Sequence, residues 1–295
     1  MRFNKYYLSA FSAFVIWGFF SLVLKPLHNY ASLDIIFYRI FFAAVLLLGI
    51  NLIFRKHILK NDISVLKSMD AKARYKTFFL TVVGGFLLIV NWFLFIYAVN
   101  HVSLKSASFA YLICPIITTI LAYFILKEKL GKWQWFAVGL SLISCVLLSL
   151  GSIHDLIFSL VIALSFAFYL ITQRKNNQFD RFVVLTVQML IAAIVVLPFF
   201  PKYSGEVPTE ALFYTMLTLI VVVFTIIPLF LNLYALKGMN SSAVGILMYI
   251  NPLINFFLAV FYFHEAINTL QLVSYFIILI SVVIFNGKAL FGKTA

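Results

Sequence analysis

Long apolar runs constrain what this chain can fold into more than any other feature. A bilayer core about 30 Å thick is crossed by about 20 apolar residues in an α-helix. In the apolar runs of this sequence, apolar and polar residues do not alternate as they do in the strands of a membrane barrel. About ten such runs occur, at approximately residues 6–24, 33–54, 77–99, 104–126, 133–150, 153–172, 182–200, 211–236, 241–263 and 269–286. They predict an all-α integral membrane protein with ten transmembrane helices.

Composition supports the same class. Of the 295 residues, 64% are hydrophobic and 11% are charged, whereas soluble domains are roughly half apolar and about a quarter charged. The first run could be a secretory signal, but it contains Trp17 and no A-x-A pattern precedes Lys25. We therefore expect it to be retained as the first span.

The basic residues predict how the spans are oriented. Positively charged short loops stay on the cytoplasmic side of a membrane. With the N-terminus inside, 18 of the 22 Lys and Arg residues fall in cytoplasmic segments. Only Lys25, Lys105 and Lys202 fall outside, and Arg39 lies within a span. The formal net charge of +13 therefore indicates orientation, with both termini cytoplasmic, and not nucleic-acid binding.

An internal repeat relates the two parts of the chain. A shift of 137 residues aligns the third to fifth runs with the eighth to tenth without a gap, and the matches include Tyr97 with Tyr234, Pro115 with Pro252, Glu128 with Glu265, and Gln134 with Gln271. The two copies are predicted at residues 1–150 and 151–295. Each holds about five helices, and because five is odd the second copy enters the membrane the opposite way up.

Inverted repeats are typical of secondary transporters, which place a substrate site near the bilayer midplane between the two copies. The alternative is that duplication only provides a stable bundle. We favour transport, because the chain has no soluble catalytic or sensory domain.

Arg39 is the most informative single residue. It lies about seven residues inside the second run, where an arginine costs roughly 2.5 to 3.5 kcal/mol on insertion scales. It could anchor a carboxylate or another electron-rich substrate group through its planar fork of donors. Equally, it could be structural, extending outward to pair with Asp34.

Two prolines occupy equivalent positions in the repeat. Pro115 and Pro252 lie in the middle of predicted helices and must release the carbonyls of Tyr111 and Met248 from the helical ladder. A tolerated kink is the simpler interpretation. Because the two positions are equivalent, we favour a shared gating bend.

Polar and aromatic side chains near these bends complete the candidate site. Thr118 matches Asn255 and Cys114 matches Asn251 across the repeat, so each copy carries a short polar stripe. The candidate substrate-binding residues are Trp17, Arg39, Asn91, Trp92, Tyr111, Thr118, Tyr249, Asn251 and Asn255. Small residues in the fifth run, by contrast, are predicted to serve helix packing; they are Ala137, Ser141, Cys145 and Ser149.

The acidic residues argue against one class of carrier. No Asp or Glu lies in the middle third of any run, whereas a proton-coupled exporter of organic cations is expected to keep a carboxylate at depth. Glu128 and Glu265 are interpreted mainly as caps or loop ion pairs.

Other chemistry has little support. The histidines show no metal-site spacing, and the chain lacks a P-loop. We expect no catalytic residue, no metal and no cofactor. The expected partners are a small-molecule substrate and membrane lipid, and a homodimer is left open.

Several motifs together resemble a known family. They are Phe14–Phe20, Tyr38–Arg39, Asn91–Phe95, Pro115 with Lys127–Glu128, Trp133–Trp135, Ser165–Tyr169 and Tyr249–Pro252. In this order and spacing they resemble the RarD branch of the EamA transporters, within the drug/metabolite transporter superfamily. One position departs from that pattern, because Cys114 stands where the family often has Asn before the proline.

The resemblance implies a ten-helix carrier of the bacterial inner membrane, with the fifth and tenth helices peripheral and the others around a central cavity. The family name is linked to chloramphenicol sensitivity. The expected function is therefore secondary-active export or exchange of small metabolites, such as amino acids or related organic compounds, with chloramphenicol-like drugs also considered. The alternative is a membrane-embedded enzyme or lipid-handling protein.

Overall fold

The computed structural model describes residues 5–101, 104–149, 153–262, 264 and 269–287. All regular structure in these residues is helical. The α-helices are α1 (Lys5–Gly18), α2 (Phe20–Leu24), α3 (Ser32–Ile53), α4 (Lys56–Ser68), α5 (Ala71–His101), α6 (Leu104–Leu126), α7 (Lys132–Ser149), α8 (Ile153–Lys175), α9 (Arg181–Val196), α10 (Phe200–Tyr203), α11 (Ala211–Val221), α12 (Ile227–Gly238), α13 (Ser241–Leu247), α14 (Ile250–Phe261) and α15 (Thr269–Phe285).

Most of these helices join into membrane-length segments. Within the part of the chain that the structure describes, seven segments are long and apolar enough to cross a bilayer: Lys5–Leu27, Ser32–Ile53, Ala71–Phe95, Ile157–Lys175, Arg181–Tyr203, Ala211–Gly238 and Ser241–Leu258. Three shorter apolar helices accompany them, at Ala110–Leu126, Lys132–Leu148 and Thr269–Phe285. The chain is therefore an all-helical, multi-pass membrane protein.

Proline positions coincide with several interruptions within these segments. Pro26 and Pro198 lie in short 3-10 turns that follow α2 and α9. Pro228 follows a π-helical turn, Val222–Ile226, that joins α11 to α12. Proline lacks an N–H and cannot complete the α-helical ladder, so each of these sites leaves a backbone carbonyl available to another partner.

The long helices pack in a recurring pattern. Helix α1 packs against α12 and α14, and α8 packs against α5 and α6. Under the 137-residue shift, α5 and α6 correspond to α11–α12 and α13–α14. Thus α1 contacts two segments from the C-terminal half of the chain, and α8 contacts the two equivalent segments from the N-terminal half. Helix α3 packs along α9 beside them.

Helices α7 and α15 form a separate pair. The hydroxyl of Ser141 donates to that of Ser281 over 2.9 Å, and the hydroxyl of Ser144 donates to the Ser274 carbonyl over 2.8 Å. Ala137 and Cys145 on the same helix are buried. The prediction that small residues of the fifth run serve packing is confirmed at Ala137, Ser141 and Cys145, whereas the side chain of Ser149 lies outside the described part of the structure.

Helix α4 is amphipathic and lies against the loop between α8 and α9. Its Asp62 carboxylate accepts the N–H of Asp180 over 3.0 Å, and the guanidinium of Arg55 contacts the Asp180 carboxylate at 3.1 Å. Burial raises the pKa of Asp62, an effect partly opposed by the hydrogen bond from Asp180. These contacts connect α4 and the residue before it to the start of α9.

The two repeat-equivalent prolines lie in different backbone environments. Pro115 is inside the continuous helix α6. Pro252 lies in the first turn of α14, after a break at Met248 and Tyr249 where the N–H of Met248 donates to the Gly245 carbonyl in a 3-10 bond. The two equivalent segments thus share a sequence pattern but not a conformation.

Candidate functional site

Arg39 lies on α3 between an indole ring and a buried hydroxyl. Its Nε donates to Thr225 Oγ1 over 2.6 Å. Its guanidinium carbon lies 4.3 Å from the centre of the Trp92 ring and 5.5 Å from that of Phe20. The two terminal nitrogens donate to no described residue. Asp34 forms no ion pair with it, and the Asp34 carboxylate accepts the N–H of Gly205 over 3.0 Å.

The π-helical turn positions two groups of this site, the Thr225 hydroxyl and the Phe224 carbonyl. Thr225 is fully buried, and its hydroxyl also donates to the Ile220 carbonyl over 2.8 Å. The preceding carbonyl, of Phe224, would bond the N–H of residue 228 in an α-helix, but residue 228 is proline. The indole Nε1 of Trp17 donates to that carbonyl instead, over 3.0 Å. Helix α1 and α3 are therefore both tied to residues 224–225.

Four of the sequence-predicted residues meet here. Tyr111 on α6 is close enough to Arg39 for the two groups to interact electrostatically, and its ring packs against Phe95 at 5.5 Å between centres. The residues brought together are Trp17, Arg39, Trp92 and Tyr111. All four side chains are partly buried. A guanidinium that is stacked on an aromatic ring and keeps free donors can bind a planar, electron-rich group.

Asn251 and Asn255 form a second polar cluster on α14. The Nδ2 of Asn255 donates to Asn251 Oδ1 over 2.6 Å, and the Ser21 hydroxyl donates to Asn255 Oδ1 over 3.3 Å. A Cβ at Gly18 would lie 2.7 Å from Ile254 Cβ. Glycine at position 18 therefore lets α1 approach α14 closely enough to form this cluster.

The remaining predicted residues face helix contacts. Asn91 is buried, and its Nδ2 donates to the Ile162 carbonyl over 3.0 Å and to Ser165 Oγ over 3.1 Å, both on α8. Thr118 is buried where α6 crosses α13. Tyr249 is fully buried beside Cys145 of α7. These three are positioned to stabilise packing around the site, and their proposed contact with substrate stays a prediction.

Comparison with known proteins agrees with this architecture. The EamA-like transporter family matches residues 4–150 and again residues 155–287. The chain belongs to the EamA-like transporter family. An uncharacterized transporter of Vibrio cholerae is 31% identical over 97% of this chain and 93% of its own length. Protein RarD of Salmonella typhi is 29% identical over 97% of this chain and 96% of its own length.

A further relative and a solved structure extend the comparison. The uncharacterized transporter YojE of Bacillus subtilis is 29% identical over 96% of this chain and 94% of its own length. A solved crystal structure superposes with a TM-score of 0.77 over 97% of this EamA-like chain and 99% of that chain. At 14% identity, the latter shows the shared fold alone.

Sequence reasoning missed Thr225 and Phe20, which complete the surroundings of Arg39 in this EamA-like chain. One signal for Thr225 was available. It is a lone polar residue in the apolar run Val221–Leu231, three residues before a proline. Phe20 is one of 34 phenylalanines, and nothing in the local pattern distinguishes it from a lipid-facing residue.

Glu128 is a cap, as the sequence suggested. Its carboxylate accepts the N–H groups of Ser241 over 2.7 Å and Ser242 over 3.1 Å, and also the Ser242 hydroxyl. It therefore satisfies the first turn of α13, where backbone donors lack helical partners. The repeat-equivalent Glu265 lies outside the described residues.

Proposed function

We propose that this EamA-family protein is a secondary-active exporter or exchanger of small organic molecules that carry a planar, electron-rich group such as a carboxylate. Ten helices, arranged as inverted repeats at residues 1–150 and 151–295, would enclose one site. The chain would lie in the bacterial inner membrane with both termini cytoplasmic. Amino acids and related metabolites are the first substrate class to test, followed by chloramphenicol-like drugs.

The environment of Arg39 carries this proposal. One donor of the guanidinium is fixed by Thr225, and its face is covered by Trp92. The terminal donors have no described carboxylate to pair with. A guanidinium held in this way is oriented for a substrate group before binding, which lowers the entropic cost of recognition. A purely structural arginine in a span would be expected to have an acidic or carbonyl partner for those donors.

Contacts near the predicted cytoplasmic face support alternating access. Glu128 binds the start of α13, and Arg55 binds Asp180. Each contact links residues from the two predicted copies. An inverted-repeat carrier must break such contacts to open inward and form equivalent ones to close outward.

Backbone geometry supports the same symmetry. Among the described residues, only Lys127 and His264 are non-glycine residues with positive φ, at 56° and 53°. They are separated by the repeat interval of 137 residues, and each immediately precedes one of the two equivalent glutamates. A left-handed backbone conformation is costly for residues other than glycine. Its occurrence at both equivalent positions favours a repeated turn that precedes a glutamate.

Flux measurements on the purified chain in sealed vesicles test the function. Uptake of labelled amino acids is measured against competing organic anions and chloramphenicol. We expect gradient-dependent flux for a carrier. Turnover of a compound in detergent, without any gradient, would instead support a membrane-embedded enzyme, and lipid movement without solute flux would support a lipid-handling protein.

The Arg39→Ala variant tests the site. We expect the rate at low substrate concentration to fall about 10-fold to 100-fold, because a charge-assisted hydrogen bond contributes roughly 1.5 to 3 kcal/mol. Arg39→Lys is expected to recover little, since lysine lacks the planar fork. The matched control is Arg74→Ala, which removes an exposed arginine in the first turn of α5, away from the site. If folded Arg39→Ala transports every compound like the wild type, Arg39 is not a substrate anchor.

A further inference from the structure

A group of buried polar side chains lies between α5, α8 and α9, away from Arg39. Tyr169 and Gln173 are one turn apart on α8, Gln188 is on α9, and all three side chains are completely buried. The Tyr169 hydroxyl and both amide atoms of Gln173 and of Gln188 have no hydrogen-bond partner among the described residues. Such groups are expensive in a membrane span unless another state of the protein satisfies them.

The two glutamines meet at a single point of α5. A Cβ added to Gly84 would collide with Gln173 Nε2 and would lie 2.6 Å from Gln188 Nε2. A larger residue at this position would require both amide groups to move, because both lie directly against the α5 backbone. The arrangement brings the amide groups of one residue from α8 and one from α9 together against α5.

Arg181 borders the same group at the predicted cytoplasmic end of α9. It is 1% exposed, and its Nη1 donates to the carbonyls of Gln173 and Asn176. Its Nε and Nη2 are buried and donate to no described residue. The adjacent carboxylate, of Asp180, contacts Arg55 and caps α9 through the N–H of Phe182. Arg181 is thus a buried cation with two free donors.

We propose that Arg181, Tyr169, Gln173 and Gln188 form an inner binding site for a carboxylate group, reached from the cytoplasm when the chain opens on that side. The guanidinium fork matches the two oxygens of a carboxylate, and the tyrosine hydroxyl and glutamine amides supply further donors. This site rests on the proposed function, because it is sealed in the present conformation. Arg39 and Arg181 would then bind the same substrate group at opposite ends of the path.

A purely structural role for Arg181 is the competing explanation, since it binds the carbonyls at the end of α8. Arg174 provides a matched control. Its Nη1 donates to the carbonyls of Leu236 over 2.5 Å and Lys237 over 3.1 Å, at the end of α12. It therefore performs the same capping chemistry, but none of its donors is buried without a partner.

Thiol protection tests the inner site without measuring flux. The native Cys114 and Cys145 are replaced by serine, and a reporter is introduced as Val184→Cys, one turn from both Arg181 and Gln188. Leu170→Cys, beside Tyr169, serves as a second reporter. A membrane-impermeant thiol reagent is applied to inside-out vesicles with benzoate, or with benzamide as the uncharged analogue of the same shape.

We expect the reagent to modify the reporters, and benzoate but not benzamide to slow the modification. Arg181→Gln should weaken benzoate protection about tenfold. Arg181→Lys, which keeps the charge but not the fork, should weaken it less, and Arg174→Gln should leave it unchanged. The inner site is wrong if neither reporter reacts, if benzoate and benzamide protect equally, or if Arg174→Gln weakens protection as much as Arg181→Gln. Any of these results would leave the Arg39 flux experiment, and hence the transport proposal, intact.

Discussion

Helix α6 and the pair α13–α14 have the same proline in the same register, yet only the second is broken. Pro115 lies within one continuous helix, whereas two residues in a turn separate α13 from α14 just before Pro252. If the equivalent segments exchange roles during transport, as we propose, one state of the cycle would show such a difference. Proline determines where each segment can bend, and the packing of the present state determines which one does.

Loss of the Glu128 carboxylate should have the largest effect, because α13 starts from it. In Glu128→Ala, two N–H groups lose a charged acceptor, and we expect the free energy of unfolding to fall by about 3 kcal/mol. Glu128→Gln should lower the free energy of unfolding by less than Glu128→Ala does. Thermal unfolding in detergent measures both.

The control for Glu128 is Glu210→Ala, which removes only the bond from the exposed Tyr30 hydroxyl, 2.8 Å long, and should cost less than about 1 kcal/mol. If Glu128→Ala is as stable as this control, then α13 does not depend on the contact between the two copies.

Replacing each proline by alanine separates the two bends. Pro115→Ala restores an interior helical bond and should raise stability by about 2 kcal/mol. Pro252→Ala should change it by less than about 1 kcal/mol, because a proline in the first turn loses no helical bond. Both should slow flux if bending is part of the cycle. Unchanged flux in both variants would mean that the prolines only kink their helices and take no part in the transport cycle.

The contact between the two segments can be tested at Gly245. A Cβ there would lie 2.9 Å from Thr118 Cγ2 and 3.0 Å from its Cβ. Gly245→Ala should therefore destabilise the protein by about 1 to 2 kcal/mol through overpacking, and adding Thr118→Ala should restore most of the loss. Gly139→Ala is the control, since nothing lies within 4 Å of its added Cβ. Absence of rescue would mean that the cost arises elsewhere on α13.

Much of this architecture was predictable because it depends on local properties of the sequence. Apolar length gives the spans, and the 137-residue register gives the equivalence of Pro115 with Pro252. Arg39 stood out because a charge in an apolar run is rare. The π-helical turn that presents Thr225 could not be predicted, because no residue in Val222–Ile226 requires it.

The directions of individual side chains were harder to predict. One helical position rotates a side chain by about 100°, so the apolar surroundings of Tyr249 did not indicate that it faces α7. Arg181 was counted only among the basic residues that indicate orientation, because its neighbours Tyr169, Gln173 and Asn176 belong to α8 and the loop after it. Its unpaired donors are visible only when α5, α8 and α9 are assembled.

The smallest predicted effect tests whether the two copies have the same turn at Lys127 and His264, although their proline-containing helices differ. Lys127 and His264 both occupy the left-handed region, so glycine should relieve a similar cost at each position, about 1 kcal/mol. Lys127→Gly and His264→Gly should therefore raise the midpoint of thermal unfolding by similar amounts, whereas Lys129→Gly, where φ is not positive, should lower it or leave it unchanged. Equal gains would mean that the turns before the two glutamates are the same and that the asymmetry is confined to the bends. A gain at Lys127 alone would place the difference between the copies in these turns as well.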